Sequence, residues 1–570
     1  MKKKLFVTAL ILFGFGSGYC QKRTVGLFLN DTLHSFVGYT LFAPKHDTMT
    51  YLINNEGKKV HEWTASTYQP GQTVYLLENG NLLRTCCLML PGGLQLGGGE
   101  GGRLEEYTWN DSLIWQFNYV TDTFTQHHDV KLLPNGNIIM LVAEKRSLAQ
   151  VLAAGFNPNE LSPDIFNFGY MAPDCIIEIQ PTPPSGANIV WQWHVWDHLI
   201  QDYDPTKANY GVVSAHPELI DCAGDHRQLP LFWNHMNCID YNPAFDEIAL
   251  SVRGNSEMWV IDHSTTTAES ASHSGGVHGK GGDLLYRWGN PLTYGRGTNN
   301  IQIYDEQHDV EWVHPDCPGA GNFTCFNNGL IWGYSSIEEI TPPVDGNGNY
   351  TLVTDSAYGP KSLTWMYEAT PPDSLYASDI SGAQRLQNGN TLIDYGTLGT
   401  FFEVTPAGLV VWKYINPTTT SGPLCQGDSI PHDPTHPDET LNAVFRVYRY
   451  PPDYPAFTGK DLTPGGYIEC YPEGIKENEA KNSSAFRLDQ NYPNPVNTST
   501  VISFQLYVSS PVTLTVYDIF GREISVLANE TMTPGNYQRK FDAYDLQGGI
   551  YFYTLTAGNN AETKRMTIIP

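Results

Sequence analysis

The chain has 570 residues, of which 41% are apolar, and its formal net charge is −27. A chain of this length is too long for one ordinary core, so we expect one large domain built from repeats and a smaller one. The negative charge excludes nucleic acid as an expected partner, because a phosphate backbone needs a surface rich in Lys and Arg. It is typical of a soluble protein outside the cell, and it is compatible with a small anionic substrate held by a local arginine.

The first 20 residues have the pattern of a secretory signal peptide. Three lysines follow the first methionine, residues 5–15 are mostly apolar, and small residues precede the expected cleavage after Cys20. Tyr19 disfavours the alternative that Cys20 is a lipid-attachment site. The apolar run is too short to span a bilayer comfortably, and no other segment is a candidate, so we expect the exported mature chain to have no transmembrane segment.

The ten cysteines are able to form disulfides if the protein is exported. Cys317 and Cys325 are close enough in sequence for a local loop disulfide, and Cys222 with Cys238 is a second possibility. The chain has no Cys-x-x-Cys pair, so neither a zinc ribbon nor a thioredoxin-type site is expected.

From about residue 41 onward, the chain repeats an apolar strand, a tight turn and a second apolar strand. Asn-Gly turns, which tolerate positive φ at both central positions, stand at residues 79–80, 135–136 and 388–389. Further strands with Trp accompany these hairpins. The unit is roughly fifty residues long, the scale of one propeller blade. We therefore predict an all-β fold with a β-propeller in residues 21–450, in preference to an array of sandwiches.

A linker and a second domain are expected after the propeller. Residues 451–484 begin with a segment rich in Pro, Gly and acidic residues, which is the composition of a linker. Residues 485–570 have the pattern of a small all-β domain. Its expected strands are residues 500–506, 512–517, 537–541 and 549–555.

Residues 92–102 are rich in glycine. A phosphate-binding loop of this composition is followed by a helix. Residues 104–107 have the pattern of a strand instead, so we interpret the segment as a flexible surface loop.

Three histidines occur at comparable positions of the repeat, and each is followed within two residues by Asp or Asn. They are His128, His235 and His308, with Asp129, Asn237 and Asp309 after them. Arg253 ends the strand that follows His235. Because a propeller brings equivalent strand ends to its central channel, we expect the three imidazoles and the guanidinium to meet in one pocket.

These residue types suit the transfer of a tetrahedral oxyanion group. A guanidinium binds sulfate or phosphate, and a histidine can attack such a centre and hold the group covalently. Neighbouring histidines can donate hydrogen bonds or protonate a leaving phenolate. The rival interpretation is a zinc site, since three histidines can hold zinc. The three positions lack His-x-His or His-x-x-x-His spacing, and Arg253 would repel a cation, so we expect no metal.

In this order, the motifs resemble the bacterial arylsulfotransferase (aryl-sulfate sulfotransferase) family. The resemblance covers about residues 40–450 and rests on residues 127–137, 233–253, 282–289, 307–310 and 381–414. It implies a six-bladed propeller that moves a sulfuryl group from a small phenolic sulfate ester to a phenolic acceptor. The implied route is ping-pong through a sulfohistidine, and it is independent of PAPS and of any metal or nucleotide cofactor.

The resemblance also implies a catalytic set in which His308 is the nucleophile. The groups that would stabilise the transferring group are His235, Arg253 and one of His127 and His128. We prefer His128, because Asp follows it directly, and we assign His127 and Asn237 to substrate binding. Two alternative functions are open, a non-catalytic propeller that binds a surface glycan or sulfated ligand, and a sulfatase-like hydrolase in which water replaces the phenol.

The C-terminal segment resembles the type A sorting domain of the type IX secretion system. The resemblance rests on residues 486–495, 516–522 and 548–553. It implies an Ig-like β-sandwich in residues 485–570 and interaction with the type IX secretion machinery. The protein is therefore expected to pass through the periplasm and to be secreted or displayed on the cell surface.

Overall fold

A computed structural model gives the structure of the chain in two compact units, which divide between Cys470 and Tyr471. The described residues are 23–94, 96, 98–223, 228–297, 302–471, 486–506, 508–518, 522–544, 546–558 and 560–569. The predicted signal peptide and residues 472–484 of the predicted linker lie outside them. The predicted domain boundaries at 450 and 485 stay predictions.

The first unit contains six antiparallel sheets of four or five strands among the described residues. Sheet A consists of Pro70–Leu76, Leu82–Cys87, Gly102–Tyr107 and Leu113–Asn118. Sheet B consists of Phe124–Leu132, Ile138–Glu144, Asp174–Pro181 and Ala187–His194. Sheet C consists of Met236–Asn242, Glu247–Val252, Glu257–Asp262 and Tyr286–Trp288.

The other three sheets follow the same antiparallel order. Sheet D consists of His308–Trp312, Phe323–Asn327, Ser336–Ile340 and Trp365–Glu368. Sheet E consists of Gly382–Arg385, Thr391–Tyr395, Thr400–Val404, Val410–Ile415 and, beyond these, Gly26–Asn30. Sheet F consists of Val444–Tyr450, Tyr39–Pro44, Thr50–Asn54 and Lys59–Trp63.

The first strand of each sheet, called its inner strand here, contacts the inner strands of two neighbouring sheets. These contacts join sheets A and B, B and C, C and D, D and E, E and F, and F and A. Both ends of the unit close this ring, since Tyr39 pairs with Tyr450 in sheet F and Gly26 with Ile415 in sheet E. The predicted all-β propeller is confirmed, and the six sheets are consistent with the predicted number of blades.

Local sequence explains the hairpins and the packing of neighbouring sheets. The predicted Asn-Gly turns join the first two strands of sheets A, B and E, and the glycine has a positive φ each time, +86° at Gly80. Four tryptophans of the outer strands are buried between sheets, and each donates to a carbonyl of another segment. These indole bonds run from Trp63 to Thr108, Trp115 to Gly186, Trp193 to Gly282 and Trp412 to Asn55.

Shorter elements lie between the sheets. The helices are Leu148–Ala153, Pro163–Phe168 and Thr267–Ser270, and short strand pairs are Arg146–Ser147 with Tyr170–Met171, Leu199–Ile200 with Ile220–Asp221, and Thr418–Thr419 with Gly422–Pro423. The 3-10 turns are Val195–His198, Val213–Ala215, Arg253–Asn255, Pro291–Tyr294, Pro372–Ser374, Gly396–Leu398 and Pro455–Phe457. Within the described ranges, none of the helices has the length and apolarity needed to cross a membrane.

The disulfide of the first unit differs from both predicted pairings. Cys425 is bonded to Cys470, at a sequence separation of 45 residues. The cysteines of the two predicted pairs are free and buried: Cys317, Cys325, Cys222 and Cys238. Proximity in sequence was a poor guide, because residues 451–470 pack on the rest of the first unit and bring the actual partners together. Phe457 of that segment is buried in the core of sheets F and A.

Among its described residues, the second unit contains two antiparallel sheets. One consists of Phe486–Leu488, Ser499–Leu506 and Gly535–Asp542, and the other of Glu523–Met532, Ser510–Tyr517, Gly549–Ala557 and Asn560–Ile568. Alternate side chains of these strands, such as Ile502, Phe504, Leu514 and Tyr553, form one apolar core. The predicted small β domain is confirmed.

Candidate active site

The structure brings Arg253 together with the three predicted histidines, which lie within, directly before or at the start of the inner strands of sheets B, C and D. His128 lies within Phe124–Leu132, His235 directly precedes Met236–Asn242, and His308 begins His308–Trp312. The rings of His128 and His235 have centroids 5.1 Å apart. The positive charge of Arg253 acts on all three imidazoles.

Each of these three strands is irregular at its histidine. The strand register shifts beside His128 in sheet B, beside Asn237 in sheet C and after His308 in sheet D. The backbone φ is +47° at His128 and +48° at His235, values that non-glycine residues seldom adopt. A bulge of this kind re-aims a side chain out of the normal alternation, which is how consecutive inner strands direct their imidazoles to one place.

Two phenylalanines pack against the imidazoles. Phe232 is stacked on His235, with ring centroids 4.5 Å apart. Phe445, on the inner strand of sheet F, contacts the rings of His128 and His308 at centroid distances of 5.8 and 6.3 Å. These contacts limit the freedom of the histidine rings and exclude water from one side of the cluster.

The hydrogen bonds around His308 assign its ring protons. His308 Nδ1 lies 2.8 Å from Asn328 Oδ1. The amide nitrogen of Asn328 donates to the carbonyls of Ala377 and Ile380, so its oxygen must face the histidine and accept. His308 Nδ1 therefore carries the proton, and Nε2 keeps its lone pair.

Burial keeps the imidazoles neutral. It lowers the pKa of His308 to about 3, with the charge of Arg253 adding to the effect. Burial also holds the pKa of His128 and of His235 well below the usual range, assisted by neighbouring imidazoles and by Arg253. At neutral pH, His308 is therefore a neutral imidazole with a lone pair on Nε2, the state that a nucleophilic role would require.

Arg253 lies at the wall of a cavity of about 780 Å³. The lining includes His235, Arg253, Glu306 and the aromatic residues Phe168, Phe232 and Trp233. The guanidinium forms an ion pair with Glu306, and its buried Nε has no hydrogen-bond partner among the described residues. The cavity wall thus combines a cation, the imidazole of His235 and aromatic side chains, whereas His128 and His308 are not among the described residues that line it.

The glycine-rich segment lies against the histidines, which its interpretation as a flexible surface loop did not anticipate. A Cβ added to Gly99 would lie 2.3 Å from Cε1 of His128, and one added to Gly98 would lie 3.3 Å from Cε1 of His235. The φ of Gly99 is +72°. Glycine is needed at this position both for space and for backbone conformation.

The two residues assigned to substrate binding lie behind the cluster. His127 is fully buried, with Nδ1 2.9 Å from Nδ1 of His128 and Nε2 2.9 Å from Oδ1 of Asp174. Asn237 donates to the carbonyl of Gln307, the residue before His308. Both contacts position catalytic candidates, and neither residue is among those that line the cavity, so their assignment to substrate binding stays a prediction.

Arg446 joins the three strands that carry the histidines. From the inner strand of sheet F, its guanidinium is 2.8 Å from Asp129 and 2.8 Å from Asp309, and it donates to the carbonyl of Asn237 at 3.3 Å. Each of these partners stands one or two residues after a site histidine. The Asp or Asn after each histidine was therefore a genuine signal, but the arginine that binds all three was missed, as were Asn328 and Asp174.

The fold and the site define the protein as a propeller with a largely buried cluster of three histidines and Arg253 beside its inner strands. The family model described as Arylsulfotransferase (ASST) matches residues 113–424, more than half of the chain, and the chain belongs to this family. A second model, the Secretion system C-terminal sorting domain, matches residues 490–569. The protein is therefore a member of a sulfotransferase family. Its C-terminal domain is a type IX secretion sorting domain, which directs the protein to secretion and the cell surface.

Solved structures that resemble the chain are distant. A protein of unknown function from Bacteroides caccae is 11% identical, with 66% of this chain and 93% of that chain covered and a TM-score of 0.34. PorZ, a type IX secretion component of Porphyromonas gingivalis, is 10% identical over 93% and 50% of the two chains, with a TM-score of 0.28. Virginiamycin B lyase from Staphylococcus aureus is 9% identical over 69% and 88%, with a TM-score of 0.29. No curated protein matches the chain.

Proposed function

We propose that the protein is a secreted, PAPS-independent aryl-sulfate sulfotransferase. It moves a sulfuryl group from a small phenolic sulfate ester to a phenolic acceptor through a sulfohistidine on His308. The observation that carries the proposal is the convergence of His128, His235, His308 and Arg253 at one buried place. Membership of the arylsulfotransferase family supports the same reaction class.

The first half-reaction forms the covalent intermediate. The sulfate oxygens of the donor bind the guanidinium of Arg253 and the imidazole of His235, which stabilise negative charge. Nε2 of His308 attacks the sulfur, a bond forms between sulfur and nitrogen, and the bond to the phenolic oxygen breaks. The hydrogen bond from Nδ1 to Asn328 holds the ring in the tautomer that this step requires.

The second half-reaction returns the enzyme to its starting state. The oxygen of an acceptor phenol attacks the sulfur, and the electron pair of the S–N bond returns to His308. The aromatic lining from Phe168, Phe232 and Trp233 suits the ring of both donor and acceptor. All reacting groups belong to the chain and the two substrates.

The decisive experiment is mass spectrometry of the enzyme quenched with nitrophenyl sulfate as the donor. We expect the added sulfuryl mass on the peptide that contains His308. In His308→Ala, labelling and transfer should fall by roughly 10³-fold or more, because the nucleophile is removed. His314→Ala is the matched control, since His314 is close in sequence but 69% exposed, and it should keep full activity.

Acceptor dependence separates this function from the two alternatives. Sulfuryl transfer requires an added phenol and yields a new sulfate ester, whereas a hydrolase releases sulfate at the same rate without it. A binding protein would bind the donor and release neither product. Full activity of His308→Ala, or sulfate release independent of phenol, would overturn the proposal.

A further inference from the structure

Asp174 connects two of the strands that carry site histidines. It begins the strand Asp174–Pro181 of sheet B and is fully buried. Its Oδ1 is 2.9 Å from Nε2 of His127, and its Oδ2 accepts from the backbone N–H of Met236, the residue after His235, at 2.8 Å. Both carboxylate oxygens are therefore engaged beside the cluster.

The contacts from Asp174 through His127 to His128 form a chain of hydrogen bonds. The position of each proton in it can be assigned in turn, starting from Asp174. Burial raises the pKa of Asp174, but its bonds to His127 and to the backbone N–H of Met236 act in the opposite direction, so we place the proton between the two side chains on Nε2 of His127. The other nitrogen of a neutral His127, Nδ1, is then an acceptor. Nδ1 of His128, 2.9 Å away, must donate to it. Nε2 of His128 is left with its lone pair.

The ring of His128 is held in this arrangement from several sides. Its φ of +47° lets two consecutive histidine rings meet, and they are nearly perpendicular, with an interplanar angle of 87°. Gly99 lies against one part of the ring and Phe445 against another. A residue that only filled space would need no such chain of directed contacts.

We propose that His128 is the proton-transfer group of the sulfuryl transfer and that His127 and Asp174 are its positioning residues. The proposal rests on the proposed function and adds a role for a carboxylate that the sequence did not single out. When the acceptor oxygen attacks the sulfohistidine, its proton moves to Nε2 of His128 while the S–N bond breaks. The positive charge on His128 is stabilised through His127 by Asp174.

The first half-reaction uses the same groups in reverse. The protonated Nε2 of His128 gives its proton to the departing phenolic oxygen. The proton that His128 gains from the acceptor in the second half-reaction is thus released to the donor phenol in the next first half-reaction. In the free protein, burial and the charges of His235, His127, His308 and Arg253 lower the pKa of His128. A bound sulfate ester brings a negative charge next to these groups and favours the protonated form.

The test is Asp174→Asn with a series of phenol acceptors of increasing pKa and nitrophenyl sulfate as the fixed donor. An acceptor that is ionised at the assay pH needs no proton removal, whereas unsubstituted phenol does. We expect labelling of His308 to persist and transfer to unsubstituted phenol to fall by roughly 10²–10⁴-fold, with a much smaller loss for ionised acceptors. In Asp174→Asn, the logarithm of kcat/KM relative to the wild type should therefore fall as the acceptor pKa rises.

Two further variants keep the test decisive. His127→Gln breaks the same chain at another residue, so it should steepen the same dependence and serves if Asp174→Asn does not fold. Asp283→Asn is the matched control, because Asp283 makes an equivalent carboxylate–histidine contact, 2.9 Å to buried His198, outside the site. It should leave the dependence unchanged.

The outcomes distinguish this proposal from the proposed function. A uniform loss for every acceptor in Asp174→Asn and His127→Gln would show a structural role only and overturn the proposal, as would an unchanged dependence. Failure of the wild-type enzyme to label His308 would instead overturn the proposed function itself.

Discussion

The strand Ser499–Leu506 of the second unit and the inner strand Met236–Asn242 of the first unit are organised differently. In the former, buried residues alternate with half-buried ones along the whole length. In the latter, the first five residues are all buried. In a strand with one solvent-exposed face, the alternation of apolar residues determines the register. In a strand buried on both faces, the buried polar side chains must also find hydrogen-bond partners inside the molecule.

The inner strands meet this demand with charged partners from other sheets. Asp129 accepts from Tyr75 at 2.6 Å and pairs with Arg446, and Asp309 pairs with the same arginine while accepting from the backbone of Ala383. The second unit has an apolar core instead. Ion pairs thus position the strands that carry the candidate site histidines, while apolar packing holds the sorting domain.

The largest expected effect comes from Arg446→Met. It leaves the buried carboxylates of Asp129 and Asp309 without their cation, so we expect the free energy of unfolding to fall by about 3–5 kcal/mol. Because the strands of three site histidines lose their common partner, sulfuryl transfer by the folded fraction should fall by about 10²-fold or more. Urea unfolding and initial rates with nitrophenyl sulfate measure the two effects.

The matched control is Arg449→Met on the same strand. Arg449 is fully buried and pairs with buried Glu403, but its partners are not adjacent to a site histidine. It should lose comparable stability while its folded fraction keeps near-normal activity. Equal loss of activity in both variants would show that the role of Arg446 is general stability alone.

A second prediction addresses the apolar side of the comparison. Leu514 is completely buried in the core of the second unit, so Leu514→Ala should destabilise that unit by about 2–5 kcal/mol. Sulfuryl transfer should be unchanged, because the site lies in the first unit. Unfolding followed by tryptic cleavage and activity measure these effects, and Thr513→Ala, at a half-buried neighbouring position, is the control. A loss of transfer in Leu514→Ala would contradict this separation of roles.

The sequence predicted those parts of the fold that depend on local patterns. Asn-Gly turns and apolar alternation identified the hairpins of sheets A, B and E, and the Trp-bearing strands that accompany them identified the repeat. The convergence of His128, His235 and His308 could also be inferred, because the repeat makes them equivalent. Arg253 could be added because it ends the strand that follows His235. Their roles in catalysis stay predictions.

The residues that orient the histidines could not be inferred in the same way. Arg446 and Asp129 are 317 residues apart, and they meet only because the ring closes in sheet F. Asp174 and Asn328 act through contacts made at strand irregularities, where one extra residue changes which side chain faces inward. Neither periodicity nor spacing reports such long-range and register-dependent contacts.

The smallest effect on the free energy of unfolding is expected from Glu311→Gln at low pH, where both side chains are neutral. This variant tests whether Glu311 is needed in its ionised form. Burial, with Asp309 next in effect, raises the pKa of Glu311 to about 8, and its Oε1 accepts from Tyr448 at 2.6 Å. The folded state thus keeps a proton that the unfolded state loses near its ordinary pKa, so this group's contribution to stability is complete at low pH and declines as pH rises towards 8. Glutamine accepts the same hydrogen bond without titrating. The free energy of unfolding of Glu311→Gln, relative to the wild type, should therefore increase between pH 5 and pH 8, and a relative decrease would mean that the carboxylate of Glu311 is needed in its ionised form.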